Sequence, residues 1–184
     1  MPLHLRSAHP DETAAIGRSI AALLVPGDVV VLSGPLGAGK TRLVQGIAEG
    51  LGVPGRVTSP TFVIVRRHAG RMPLVHVDAY RLSEARDLVG LDDDVLADDV
   101  ITCIEWGGNV EDALPADRLD CELIAAAAAA TATSAAAPAD AGGDDDTSRT
   151  IVIDAHGPSW TGRSARLAVA LADHTATAAV EHGP

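Results

Sequence analysis

Eight residues, Gly34 to Thr41, read GPLGAGKT and fit the spacing G-x-x-x-x-G-K-[ST]. Each residue type in that pattern has a task in holding phosphate. Glycines let the backbone curl so that successive N–H groups face phosphate oxygens. A helix beginning at the end of the loop presents its positive end to the anion. Lys40 reaches the β- and γ-phosphates, and the Thr41 hydroxyl offers a place for Mg2+. Gly34, Leu36, Gly37, Ala38, Gly39, Lys40 and Thr41 are therefore the expected nucleotide-contacting residues. Composition adds support: of 14 Lys plus Arg, Lys40 is the one lysine. Arginine serves at every other basic position, whereas a loop that wraps phosphate needs the compact ammonium on its slim stem. The alternative is a glycine-rich turn without a ligand.

Three further stretches carry groups of the right chemistry. VTSPTF, Val57 to Phe62, sets small hydroxylated residues around a proline. It reads either as a turn leading into a strand or as a mobile loop that senses the γ-phosphate through Thr61. HVDAYRL, His76 to Leu82, places Asp78 at the end of an apolar strand. In open α/β sheets ligands bind beyond the carboxyl ends of strands. A carboxylate there orients a water or holds metal; alternatively it caps a turn. VITCIEW, Val100 to Trp106, ends an apolar strand in Glu105 and has the form of a Walker B strand, with Glu105 on Mg2+ directly or through water. An apolar strand ending in an acid also arises by accident; Lys40, Asp78 and Glu105 are the candidate catalytic groups, and Thr41 and Glu105 the candidate metal ligands.

These groups need elements to position them. DETAAIGRSIAALLVPG has apolar residues at helical spacing, Ile16, Ile20, Leu23 and Leu24, and is stopped by Pro26-Gly27. DVVVLSG reads as a buried parallel strand, followed by the loop and a helix from Lys40 to Leu51. TFVIVRRH, MPLVHVD, VITCIEW, RLDCELI and RTIVIDAHG read as further strands. SEARDLVG and LDDDVLADD read as short helical pieces, and SARLAVALADH as a last helix. Strands and helices interleave, which predicts a single α/β domain with a mainly parallel central sheet flanked by helices, of the P-loop NTPase-like kind. Residues 125–148 hold no large apolar side chain and end in a run of aspartates. They read as a disordered insertion between two strands.

Bulk properties narrow the function. A length of 184 residues suits one domain with a proper core. A net charge of −11 argues against a chain that grips nucleic acid by itself. Cys103 and Cys121 form no C-x-x-C pair and sit in apolar runs, as buried reduced thiols do. The 7 histidines show no zinc-ligand spacing. The start of the chain lacks the apolar core of a signal peptide, and no apolar run approaches the roughly 20 residues of a membrane helix. A cytoplasmic protein without membrane contact is the expectation.

GPLGAGKT, SPTF, HVDAYRL and IEW occur in that order in a short acidic chain. Together they resemble the TsaE (YjeE) family, small ATPases of bacterial tRNA threonylcarbamoyladenosine synthesis. The likeness covers about residues 7–124, more weakly 150–172. It implies ATP and Mg2+ as ligands, Lys40 and Thr41 on phosphate and metal, and Glu105 as the second metal-associated residue. It further implies Asp78 in support of hydrolysis and Thr61 in a switch-like loop. Trp106 would pack beside the nucleotide, and Thr13, where the first helix begins, would lie near the base. The implied partners are the TsaB and TsaD homologues, with tRNA contacted only indirectly. Two rivals remain at this stage. A small-molecule kinase on the same fold would use arginine pairs such as Arg66-Arg67 or Arg163/Arg166. A GTP switch would need N-K-x-D, which the chain lacks, since its one Asn is Asn109 and its one Lys is Lys40.

Overall fold

The computed structural model describes residues 1–91, 95–125 and 148–175. Its strands are β1 (Leu3–Ser7), β2 (Val29–Ser33), β3 (Val65–His68), β4 (Leu74–Asp78), β5 (Ile101–Glu105), β6 (Arg118–Ala125) and β7 (Arg149–His156). Its helices are α1 (Pro10–Ala21), α2 (Lys40–Gly50), α3 (Ala85–Val89), α4 (Pro158–Thr161) and α5 (Ser164–Ala170). All seven strands join one sheet in the order β1-β7-β6-β2-β5-β4-β3. The central four, β6, β2, β5 and β4, are parallel; β3 and β7 run against their neighbours, and β1 returns to the common direction. The expected α/β class with a mainly parallel sheet is what forms.

Alternation along the central strands builds two cores. Val30 and Leu32 of β2 and Ile101 and Cys103 of β5 face the helix pair, meeting Ile16 and Ile20 of α1 and Leu43 and Ile47 of α2. Val29, Val31, Val75, Val77 and Ile104 face the opposite side and pack with Leu88, Val95 and Val110. Each fully buried side chain of this size contributes about 1.5–3 kcal/mol by leaving water. Helices α1 and α2 touch backbone to backbone: a methyl on Gly46 would collide with the Ala14 carbonyl, and one on Gly17 with that of Leu43. This close crossing fixes where α2 starts, and so where the loop before it lies.

Several boundaries differ from the sequence reading. Helix α1 ends at Ala21; Leu23 and Leu24 are buried after it, in a turn that Asp28 closes by accepting from Val25 N–H at 2.8 Å. The strand expected over TFVIVRRH begins only at Val65. Val63 and Ile64 N–H both bond the Pro60 carbonyl at 2.8 and 2.7 Å, which folds the preceding residues into a turn. Ile64 takes a left-handed φ of 65°, an unusual conformation for a β-branched residue. Residues 95–99, expected helical, form turns. The edge strand β1 was not anticipated. The segment read as an insertion lies outside the described residues, except that Ala125 ends β6 and Ser148 precedes β7. Among the described residues no helix is long and apolar enough to cross a membrane.

Candidate functional site

The glycine loop joins β2, in the middle of the sheet, to α2. Three glycines carry its curvature with φ of 128° at Gly34, 79° at Gly37 and 102° at Gly39. Gly34 also lies against the Leu123 carbonyl of β6, where no side chain fits. Gly39 is the residue before α2 and supplies no capping side chain. Among the described residues no side chain caps the first N–H groups of α2, as an anion site requires.

A cavity of about 310 Å3 opens over this loop, lined by Leu36, Gly37, Gly39, Lys40, Thr41, Ser59, Thr61, Asp78, Glu105 and Trp106. The sheet explains the convergence. Asp78 and Glu105 are register partners at the carboxyl ends of the parallel strands β4 and β5. Both are buried, and alternation turns them to the α2 side with Leu74 and Cys103.

Lys40 is nearly buried. Its Nζ donates to the carbonyls of Gly34 at 2.8 Å and Pro35 at 2.9 Å, and stands 3.6 Å from the centre of the Trp106 ring. Desolvation lowers its pKa from the usual lysine value, opposed by the Glu105 and Asp78 carboxylates. Thr41 Oγ1 donates to Glu105 Oε1 at 2.8 Å. That bond uses the hydroxyl hydrogen and leaves the oxygen lone pairs for a cation. An anionic carboxylate next to a hydroxyl oxygen is the hard-oxygen chemistry that Mg2+ takes. Among the described residues no group of three or more His, Cys, Asp or Glu is placed to hold a metal. The residues present therefore fit an ion that shares its coordination with phosphate oxygens and water, not one caged by protein.

Asp78 is occupied differently. Its Oδ2 accepts from Thr61 Oγ1 at 2.7 Å and Ser59 Oγ at 3.1 Å, and its Oδ1 accepts from Tyr80 N–H at 3.1 Å. The turn reading of Asp78 thus has a physical counterpart, and the SPTF stretch is tied to it. The carboxylate caps the turn Ala79–Arg81 and also holds the loop against the cavity. Trp106 follows Glu105 with a left-handed φ of 62°, which turns its ring out of the strand, over Lys40 and 5.1 Å from the Tyr80 ring.

The structure places the other expected residues as follows. Leu36 is exposed at the rim, and Ala38 is buried behind the loop, its carbonyl accepting from Arg149 Nη1 at 3.1 Å. Thr13 does not join them. It is fully buried in α1, 2.8 Å from Ser7 Oγ, and does not line the cavity. Its assignment came from resemblance alone, and the burial under β1 is the physical reason it stands apart. Sequence reasoning missed Ser59, Arg149 and His76. His76 is fully buried, with Nε2 2.9 Å from Glu105 Oε1. The available signal was one polar residue inside the otherwise apolar run LVHV that precedes Asp78.

A mixed α/β sheet with a phosphate-type loop after its central strand β2, and buried acids at the ends of β5 beside it and β4 next in order, defines a P-loop NTPase-like protein. The family model described as "Threonylcarbamoyl adenosine biosynthesis protein TsaE" matches residues 7–133, and the chain belongs to that family. Similar curated proteins include the "tRNA threonylcarbamoyladenosine biosynthesis protein TsaE" of Streptomyces coelicolor, 55% identical over 108 residues, covering 56% of this chain and 73% of the relative. The protein of that name from Bacillus subtilis is 43% identical over 118 residues, covering 64% and 74%. The crystal structure of Bacillus subtilis YdiB superposes with a TM-score of 0.67 at 33% identity, covering 94% of this chain and 95% of that one.

Proposed function

We propose that this chain is a Mg2+-dependent ATPase that serves threonylcarbamoyladenosine modification of tRNA as the nucleotide-driven subunit of a complex with TsaB and TsaD homologues. The carrying observation is the joint placement of Lys40, the Thr41–Glu105 pair and Asp78 around one cavity at the glycine loop. The names of the related proteins support the pathway. In this reading the loop N–H groups and Lys40 hold the phosphates of ATP. Thr41 and Glu105 would hold Mg2+, which neutralises charge on the phosphates. Asp78, once Ser59 and Thr61 leave it, would orient a water whose oxygen bonds the γ-phosphorus as the bond from that phosphorus to the bridging oxygen of ADP breaks, the water's proton passing to the released phosphate.

Two observations support dependence on a partner. Among the described residues no arginine lines the cavity. Arg42 is bound to Asp11, Gln45 and the Pro10 carbonyl, Arg66 to Thr58, and Arg163 to Asp28 by two bonds of 2.6 and 2.8 Å. These fixed arginines also weigh against the kinase alternative. In addition, Leu36, Phe62 and Tyr80 are exposed apolar side chains on or beside the residues that line the cavity. A cluster of that kind suits a protein contact.

Calorimetric titration with ATP, with and without Mg2+, tests the site. Wild type is expected to bind one ATP more tightly with Mg2+, and Thr41→Ala and Glu105→Ala to lose that gain. No binding by wild type, or a full Mg2+ gain in both variants, contradicts the proposal.

A further inference from the structure

His76 sits in the middle of β4, on the face that packs under α2, between Leu74 and Asp78. Its register partner on β5 is Cys103, and on β3 it is Arg66. It is fully buried, and its Nδ1 has no hydrogen-bond partner among the described residues. A buried ring nitrogen without a partner costs free energy that an apolar side chain in the same slot would not. Packing alone therefore does not account for a histidine here.

The contacts of its ring say what it does. Nε2 lies 2.9 Å from Glu105 Oε1. An ionised carboxylate only accepts, so Nε2 carries the hydrogen and donates. Thr41 Oγ1 donates to the same oxygen at 2.8 Å. Both donors fall on Oε1, one from the strand beside Glu105 and one from the first turn of α2. The carboxylate is thereby fixed in rotation, with Oε2 as the oxygen that neither donor holds. On its other side the ring meets His68, centre to centre 6.5 Å and tilted 38°.

We infer that His76 is a positioning residue that holds Glu105 by Oε1 so that the carboxylate presents Oε2 to a divalent cation shared with Thr41. The inference rests on the reading of Thr41 and Glu105 as metal-facing groups. Partners of this kind, one shell behind the ligand, typically change metal affinity by about 10–100-fold when removed. His76→Leu keeps the volume and removes the donor. His76→Gln keeps an N–H donor at similar reach.

The test separates metal from nucleotide. Binding of ADP is measured by calorimetry in EDTA and in Mg2+ for wild type, His76→Leu and His76→Gln, with thermal melts beside them. Expected is an unchanged affinity in EDTA for all three. The gain on adding Mg2+ falls by about 10-fold or more in His76→Leu and returns for the most part in His76→Gln. A full Mg2+ gain in His76→Leu, or equal losses in both variants, overturns the inference. No Mg2+ gain in wild type would instead sink the metal reading of Thr41 and Glu105, and the inference with it. Should His76→Leu fail to fold, 15N NMR of wild type decides: a hydrogen on Nε2 in slow exchange is expected, and a bare Nε2 overturns the assignment.

Discussion

Replacing Lys40 by methionine should separate binding from folding. In the structure the ammonium donates to the Gly34 and Pro35 carbonyls and faces the Trp106 ring. Two charge-assisted bonds contribute about 1.5–3 kcal/mol each and the ring contact about 0.5–2. Against them stands the desolvation of a nearly buried charge, several kcal/mol per ion and the leading cause of its lowered pKa. The two sides nearly cancel. Lys40→Met, which fills the slot with an apolar stem, should change unfolding free energy by no more than about 1 kcal/mol. Nucleotide binding has no such cancellation. A buried phosphate left without its cation costs about 3–5 kcal/mol, on the order of 10²–10⁴-fold in Kd. Lys40→Arg keeps the charge, but two carbonyls and an indole ring enclose the slot, so the fork does not fit, and a loss of about tenfold or more is expected. Urea melts give the first quantity and calorimetric titration with ATP the second. Affinity within threefold of wild type in either variant would refute the reasoning. So would a loss of stability above about 3 kcal/mol in Lys40→Met, because the affinity change would then report misfolding.

Asp78→Ala should leave ATP affinity nearly unchanged and lower turnover, while limited proteolysis between residues 58 and 64 accelerates, because Ser59 and Thr61 lose their acceptor. Unchanged cleavage would show that the carboxylate does not hold the loop. Cys103 and Cys121 are fully buried, and desolvation pushes both thiols far above the ordinary range. The folded state keeps their protons, so their contribution is full below the unfolded thiol pKa near 8.5 and is lost as pH rises above it. The loss is about 1.4 kcal/mol per pH unit for each thiol. Chemical denaturation from pH 7.5 to 10 should show this slope in wild type and a flatter one in the double variant Cys103→Ala/Cys121→Ala; equal slopes would contradict the burial of the thiols.

The segment from Val29 to Gly50 was legible because two kinds of signal agree there: a β-branched run, then a glycine pattern that admits few other structures. The ends of β4 and β5 were legible as apolar runs stopping at an acid. Their meeting needed the register, which pairs Asp78 with Glu105. Other features left little trace. Ile64 and Trp106 adopt left-handed backbone that their side chains disfavour, so tertiary contacts override local preference. Arg149 reaches the Ala38 carbonyl from 111 residues away. His76 lay inside a motif already noticed, but a single histidine in an apolar strand does not say which neighbour it will meet. Thr13, expected near the base from the resemblance alone, has its hydroxyl 2.8 Å from Ser7 Oγ and away from the cavity lining.

The central claim is a nucleotide site that a partner completes. Steady-state phosphate release from Mg2+-ATP measures it most directly, with the purified chain alone and then with the TsaB–TsaD heterodimer. With no arginine lining the cavity among the described residues, and with Asp78 bonded to Ser59 and Thr61, slow turnover by the chain alone is the expected outcome. An arginine supplied from outside can add roughly 10³–10⁵-fold to phosphoryl transfer. The account expects slow release by the chain alone, a large rise with the heterodimer and no rise in Glu105→Ala. Fast release by the chain alone, unchanged by the heterodimer, would contradict it.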